Sequence, residues 1–152
     1  MTDTVPARRE YADEIAVGST YELSTYAVTE DDVVAFAEQW DPQWFHTDAE
    51  AATHGPYKGL IACGMHTLAI YQRLSVVDVF ENWHVIAGRR LRDVRFLRPL
   101  RPGATVTGRL RVIELDRDRP GRALLVVQGE LVGDDGKQLL TTVTEVYVRA
   151  RA

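Results

Sequence analysis

Three clusters of turn-forming residues divide the second half of the chain, and this punctuation constrains the fold more tightly than anything else in the sequence. Pro99, Pro102 and Gly103 make the first break, Asp118, Pro120 and Gly121 the second, and Gly133 to Gly136 the third. Proline withholds a ladder donor and glycine admits positive φ, so each cluster ends one strand and turns the chain toward the next. Residues 105–115, 122–132 and 138–149 lie between the breaks, and in the last of these Leu140, Thr142, Thr144, Val146 and Val148 fall on one side. A period of two over that length predicts an antiparallel meander with one face on a core.

The first half reads differently. Residues 21–28 mix β-branched, aromatic and polar side chains as a first strand does, and Thr29 ends it. Thr29 followed by Asp32 resembles a capping box, with Val33, Phe36, Ala37 and Trp40 as the apolar stripe of the helix it opens. Pro42 stops that helix, so residues 41–48 are expected to form a loop, with a short helical piece over 48–53. After Gly55, Pro56 and Gly59, residues 60–74 are dense in apolar side chains (Leu60, Ile61, Met65, Leu68, Ala69, Tyr71) and predict a mostly buried helix. One strand, then helices, then a run of strands is the order of an α+β fold in which a curled antiparallel sheet wraps one long buried helix.

At 152 residues the chain suits a single domain spanning 1–152, with residues 1–10 as a loose leading segment. A formal net charge of −4 gives no overall attraction to nucleic acid or to an anionic membrane. Cys63 is the only cysteine, which excludes an internal disulfide and a cysteine-pair zinc or redox motif, and suggests a reducing compartment. Residues 1–10 lack the apolar stretch of a secretory signal, and no apolar window is long enough to span a bilayer, so a cytoplasmic location is expected.

Chemistry concentrates in Asp41-Pro42-Gln43-Trp44-Phe45-His46, which sets a carboxylate and an imidazole five residues apart. A carboxylate and an imidazole folded inward together can hold a water and move its proton. Taken singly, the same residues also suit a helix end and a satisfied core histidine. Downstream, Ile61-Ala62-Cys63-Gly64-Met65 opens the buried helix with small residues. Gly64 there lets a substrate carbonyl approach an unpaired first-turn N–H, where developing negative charge is favoured.

Together these stretches resemble the MaoC-like family of (R)-specific enoyl-CoA hydratases, whose loop reads Asp-x-Asn-Pro-x-His and is followed by an Ile-x-His-Gly-Met-like helix start. The segment Arg95-Phe96-Leu97-Arg98-Pro99-Leu100-Arg101-Pro102-Gly103 is similar to that family's later strand and turn. The resemblance implies a hot-dog fold and a lyase that hydrates trans-2-enoyl thioesters or dehydrates (R)-3-hydroxyacyl thioesters, on CoA or an acyl carrier, without a cofactor. Asp41 and His46 would hold the water and Gly64 would bind the thioester oxygen. Read from their residue types, Trp40, Trp44 and Phe45 suit the wall of an acyl pocket as well as a role as core anchors, and Trp44, Phe45, Cys63 and Met65 are the expected substrate contacts. The resemblance also implies a homodimer with the substrate tunnel at the interface. This chain departs from the pattern at Pro42, which follows Asp41 directly, at Gln43 in the asparagine position, at Cys63 in a position often held by histidine, and at Ala104, where many members carry Asp.

Two rival readings share the fold: an acyl-CoA thioesterase, which has no need of the Asp-to-His spacing, and a non-catalytic acyl-binding subunit, against which the intact pair argues. Cys63 with His46 or His66 as base would make a thiol nucleophile, but a free cysteine is more often a small buried hydrophobe. His54, His66 and His84 show no metal-ligand spacing, and no metal is expected. Arg89, Arg90, Arg92, Arg95, Arg98 and Arg101 suit carrier phosphates, yet charged strand edges also block unwanted pairing, and the latter reading is preferred.

Overall fold

A computed structural model describes residues 8–151. Strand β1 (Thr20–Ala27) leads into helix α1 (Glu30–Trp40), two short helices α2 (Trp44–Thr47) and α3 (Ala49–Thr53), and the long helix α4 (Gly64–Asp78). Strands β2 (Val85–Phe96), β3 (Thr105–Arg119), β4 (Arg122–Val132) and β5 (Gln138–Arg149) follow. All pair antiparallel in one five-stranded sheet of order β1-β3-β4-β5-β2. This is the α+β arrangement expected from the order of elements: a curled antiparallel sheet with one long helix packed on it.

Strands β4 and β5 begin and end where the turn clusters place them, and Gly121 and Gly136 in the two tight connections sit at φ 84° and 75°, which a side chain would resist. Leu140, Thr142, Thr144, Val146 and Val148 of β5 are all buried, and Leu140, Val146 and Val148 join the hydrophobic core. Ile70, Tyr71 and Leu74 of α4 join one hydrophobic cluster with strand residues such as Leu110, Leu125 and Val127. Burying a side chain of that kind contributes roughly 1.5–3 kcal/mol, so the α4–sheet layer is a substantial source of stability.

Three local expectations change. First, α4 begins at Gly64, not at residue 60. Residues 60–63 run extended through the core: Ile61 N–H donates to the Phe45 carbonyl at 3.4 Å and Ala62 N–H to the Leu100 carbonyl at 2.7 Å. Their apolar character reflects burial between two segments rather than helical periodicity. Second, the expected loop over residues 41–48 contains a helical turn, α2, closed by Asp48 N–H donating to the Trp44 carbonyl at 2.9 Å. Third, only half of the capping box forms. Thr29 Oγ1 accepts from Asp32 N–H at 3.1 Å, while the Asp32 carboxylate accepts instead from the Tyr26 hydroxyl at 3.3 Å. Of the leading segment, residues 1–7 lie outside the described residues, and Glu10 is bonded on both sides, to the Asn82 carbonyl and from the His84 N–H.

Strand β2 forms one edge of the sheet, and register shifts interrupt its pairing with β5 at three places. Its arginines are mostly engaged. Arg89 and Arg92 close on the buried Glu145 carboxylate of β5, Arg95 pairs with Asp93, and Arg98, just beyond the strand, pairs with Asp135. The Arg92 guanidinium holds the Glu145 carboxyl below its ordinary range. These four guanidinium groups are thus paired with carboxylates of the same chain. Among the described residues, no helix is long and apolar enough to cross a membrane.

Candidate active site

Asp41 is the residue at which α1 stops. Its N–H still donates to the Ala37 carbonyl at 2.8 Å, but its backbone leaves the helical region and Pro42 cannot extend the ladder. The carboxylate is held on one oxygen, Oδ1, by the Gln43 side-chain amide at 2.7 Å. The other oxygen, Oδ2, faces Nε2 of His46 at 3.4 Å. His46 is buried within α2, and its Nδ1 lies 2.7 Å from the Ile61 carbonyl oxygen. A carbonyl can only accept, so Nδ1 carries the proton and donates. In the neutral ring Nε2 then offers a lone pair toward a carboxylate oxygen, which is also an acceptor. Two acceptors then face each other, and either a second proton on the ring or a donor or cation between them satisfies both.

Cys63 occupies the N-cap position of α4 and is 2 % exposed. Its thiol, together with the Gln43 amide, holds the Asp41 carboxyl below the usual carboxylate range. Burial pushes the Cys63 thiol up, with the neighbouring Asp41 charge acting in the same direction and the His66 and Met65 amides opposing. Ligating atoms of Asp41, His46 and Cys63 all lie within 4.8 Å of one another. Nothing in the spacing of the sequence announces this group, because Cys63 reaches the other two only through the extended run of residues 60–63.

Gly64 is the first residue of α4, where an N–H has no intrahelical acceptor. It shares with His46 a cavity of about 350 Å³ whose walls include Tyr57, Thr67, Phe96 and Pro99. A Cβ added at Gly64 would stand 3.0 Å from the Phe96 ring, so substitution there presses on the cavity wall as well as on the N–H. A larger cleft of about 810 Å³, between the C-terminal half of α4 and β2, includes none of Asp41, His46, Cys63 or Gly64 among its walls. The smaller cavity has His46 and the first residue of α4 in its walls, while Asp41 and Cys63 lie outside its lining.

Of the four residues expected at substrate, none lines this smaller cavity. Trp44 packs over Gly55 and meets Phe45 edge to face. Phe45 packs against both the His46 and the Tyr57 rings, with centroids 4.3 Å and 6.4 Å away. Met65 is 58 % exposed, and Cys63 belongs to the Asp41–His46 group. Tyr57, Thr67 and Phe96, which do line the cavity, were not singled out by sequence. The pairing of β2 with β5 carries Phe96 over Gly64, and no local pattern encodes that. His66 is stacked on Phe36 with ring centroids 4.5 Å apart, and its burial lowers its pKa, both of which fit a structural role.

The family model described as MaoC like domain matches residues 13–132. A Bacillus subtilis protein, uncharacterized protein YdeM, is 31 % identical over 115 residues, covering 76 % of this chain and 82 % of that one. The 3-hydroxyacyl-thioester dehydratase Z of Mycobacterium tuberculosis is 35 % identical over 81 residues, covering 52 % of this chain and 54 % of that protein. Among solved structures, a MaoC-like dehydratase from Rhodospirillum rubrum superposes with a TM-score of 0.84 at 30 % identity, over 94 % of this chain and 99 % of that one.

Proposed function

Because the chain belongs to the MaoC-like dehydratase family, we propose that it is a hydro-lyase that adds water to trans-2-enoyl thioesters, or removes it from (R)-3-hydroxyacyl thioesters, at the Asp41–His46 pair. The observation that carries this reading is the opposition of Asp41 Oδ2 and His46 Nε2 across 3.4 Å with Nδ1 already committed to Ile61. A water has two O–H donors and satisfies both acceptors at once.

In the hydration direction the water oxygen bonds to the β-carbon as one of the pair takes its proton. The protonated member of the pair then delivers that proton to the α-carbon, which consumes the double bond and restores the pair. Charge that builds on the thioester oxygen during attack is met by the Gly64 N–H. A single donor of this kind is typically worth about 3–4 kcal/mol of transition-state stabilisation. Dehydration runs the same steps in reverse, and no residue changes place.

Purified chain mixed with enoyl-CoA thioesters of graded chain length is expected to bleach the enoyl absorbance without releasing free thiol. Thiol release with the double bond intact would replace this reading with a thioesterase. No reaction on any chain length, on CoA or an acyl carrier, would favour a non-catalytic subunit.

The assembly proposed is a homodimer joined through the β2 edge. Ile86, Leu91, Phe96 and Leu97 are each about half exposed along or just beyond β2, which leaves an unpaired ladder beside an apolar stripe. Such an edge is covered in stable proteins, most economically by its own symmetry mate. Light scattering is expected to give twice the 17.1 kDa of the monomer, with Leu91→Arg shifting the population to monomer. A parent chain that stays monomeric at assay concentration rejects the edge pairing.

A further inference from the structure

The geometry points to a second use of the same three side chains: Asp41 Oδ2, His46 Nε2 and Cys63 Sγ form a site for one borderline-soft divalent cation, best suited to zinc, which displaces the bridging water when it binds. The donor set is one carboxylate, one imidazole and one thiol, delivered by the end of α1, by α2 and by the N-cap of α4. Three protein ligands of this mixture with a fourth position open is the composition of a zinc site that also holds water or an inhibitor. Magnesium and calcium, which require oxygen ligands in larger number, are poorly served by it.

Distances support the assignment. With zinc–nitrogen and zinc–oxygen bonds of about 2.0–2.1 Å and a zinc–sulfur bond of about 2.3 Å, a tetrahedral site has ligand–ligand edges of roughly 3.3–3.6 Å. The Asp41–His46 edge is already 3.4 Å. The remaining edges lie within 4.8 Å. Closing them asks the sulfur to move by at most about 1.5 Å, within reach of rotation about the Cys63 Cα–Cβ bond.

The surroundings of the ligands fit as well. A metal-bound histidine ordinarily donates its other ring N–H to a carbonyl or carboxylate, which fixes the ring and the tautomer. His46 does this to Ile61, and Gln43 similarly steadies the carboxylate through its other oxygen. On binding, the Cys63 S–H bond breaks as the sulfur–metal bond forms, and the proton leaves to solvent. The metal keeps its oxidation state. A dication with one carboxylate and one thiolate is neutral overall, and a buried site accepts a neutral complex far more readily than a charged one.

The binding claim stands on this geometry alone, whereas its consequence, reversible inhibition, rests on the hydration reading. The test is titration of the tag-free chain with cobalt(II), which reports on its ligands by colour. Expected are saturation at one ion per chain, visible bands of a four-coordinate ion, and a sulfur-to-cobalt charge-transfer band in the near ultraviolet. Zinc should displace the cobalt and bleach both the visible and the charge-transfer bands. Cys63→Ser is expected to lose the charge-transfer band and to weaken binding by more than about tenfold, since even changes in the groups behind the ligands commonly cost 10- to 100-fold. His46→Gln should weaken binding while keeping the thiolate band at high cobalt, which covers the case in which Cys63→Ser does not fold. Absence of a saturable band, or a band unchanged in Cys63→Ser, overturns the site. A chain that shows these bands but hydrates no enoyl thioester keeps the site and loses the hydration reading. A chain that hydrates and shows no band does the reverse.

Discussion

Asp41→Asn and His46→Ala are each expected to lower kcat on an enoyl thioester by about 10²- to 10⁴-fold, the range typical of a lost proton-transfer partner. The two changes act by different routes. Asparagine at position 41 keeps the shape of the side chain and can still accept from Gln43, but it turns an amide N–H toward His46 Nε2, 3.4 Å from the carboxylate oxygen it replaces. That N–H occupies the lone pair on which the water would otherwise depend, so the imidazole is silenced together with the carboxylate. Alanine at position 46 removes the imidazole outright. It also leaves the buried Ile61 carbonyl without the donor it had at 2.7 Å, a loss of roughly 1–3 kcal/mol. At about 2–4 °C per kcal/mol for a chain of this size, His46→Ala should melt several degrees lower, so rates are to be compared well below its Tm. On the proposed hydration mechanism both groups serve one water, so the double variant should be little slower than the worse single variant. Rates near the parent's in both single variants would remove the pair from the mechanism, and simple multiplication of the two losses would show that they act separately.

How much of this could be read from the sequence depended on whether the controlling contact was local. Strands β4 and β5 were legible to the residue because glycine turns and alternation are encoded within them. The start of α4 was not. Residues 60–63 are as apolar as a buried helix, and only their bonds to Phe45 and Leu100, at the far ends of two other segments, show them to be extended. The same distinction divides the site. Asp41 and His46 stand five residues apart, and one helical turn brings their side chains together, so spacing was enough to suggest the pair. Cys63 joins that pair across a gap of 17 residues from His46, and Phe96 covers Gly64 across a gap of 32. No periodicity reports such meetings. Which side chains line the cavity beside Gly64 is likewise set by long-range packing: Met65, its neighbour in sequence, is largely exposed, whereas Phe96 of β2 stands against it.

Gly129→Ala is expected to be the most damaging single substitution outside the site. A glycine inside an otherwise apolar strand marks a close approach of some other group, but the sequence does not say which. Here it is Tyr71 of α4, whose ring lies against the sheet with its hydroxyl end at Gly129. A Cβ at that position would fall 1.9 Å from Tyr71 Oη, 2.1 Å from Cζ and 2.4 Å from Cε2. Tyr71 is 1 % exposed, and its burial pushes the phenol up to about 12, so the ring has no solvent to swing into. Relief requires α4 to lift from the sheet, and forcing one methyl into a filled core typically costs about 1–3 kcal/mol and at times more. With three atoms in conflict the upper end applies, and at about 2–4 °C per kcal/mol the Tm should fall by roughly 10 °C. The double variants identify the cause. Tyr71→Phe removes only the hydroxyl, and the ring carbons still collide, so it should restore little. Tyr71→Leu withdraws the ring end altogether and should recover most of what Gly129→Ala loses, less the cost of the space it opens. A double-mutant cycle in thermal or denaturant melts gives the coupling directly. Additive losses for Gly129→Ala and Tyr71→Leu would mean that the helix does not rest on the sheet through this contact.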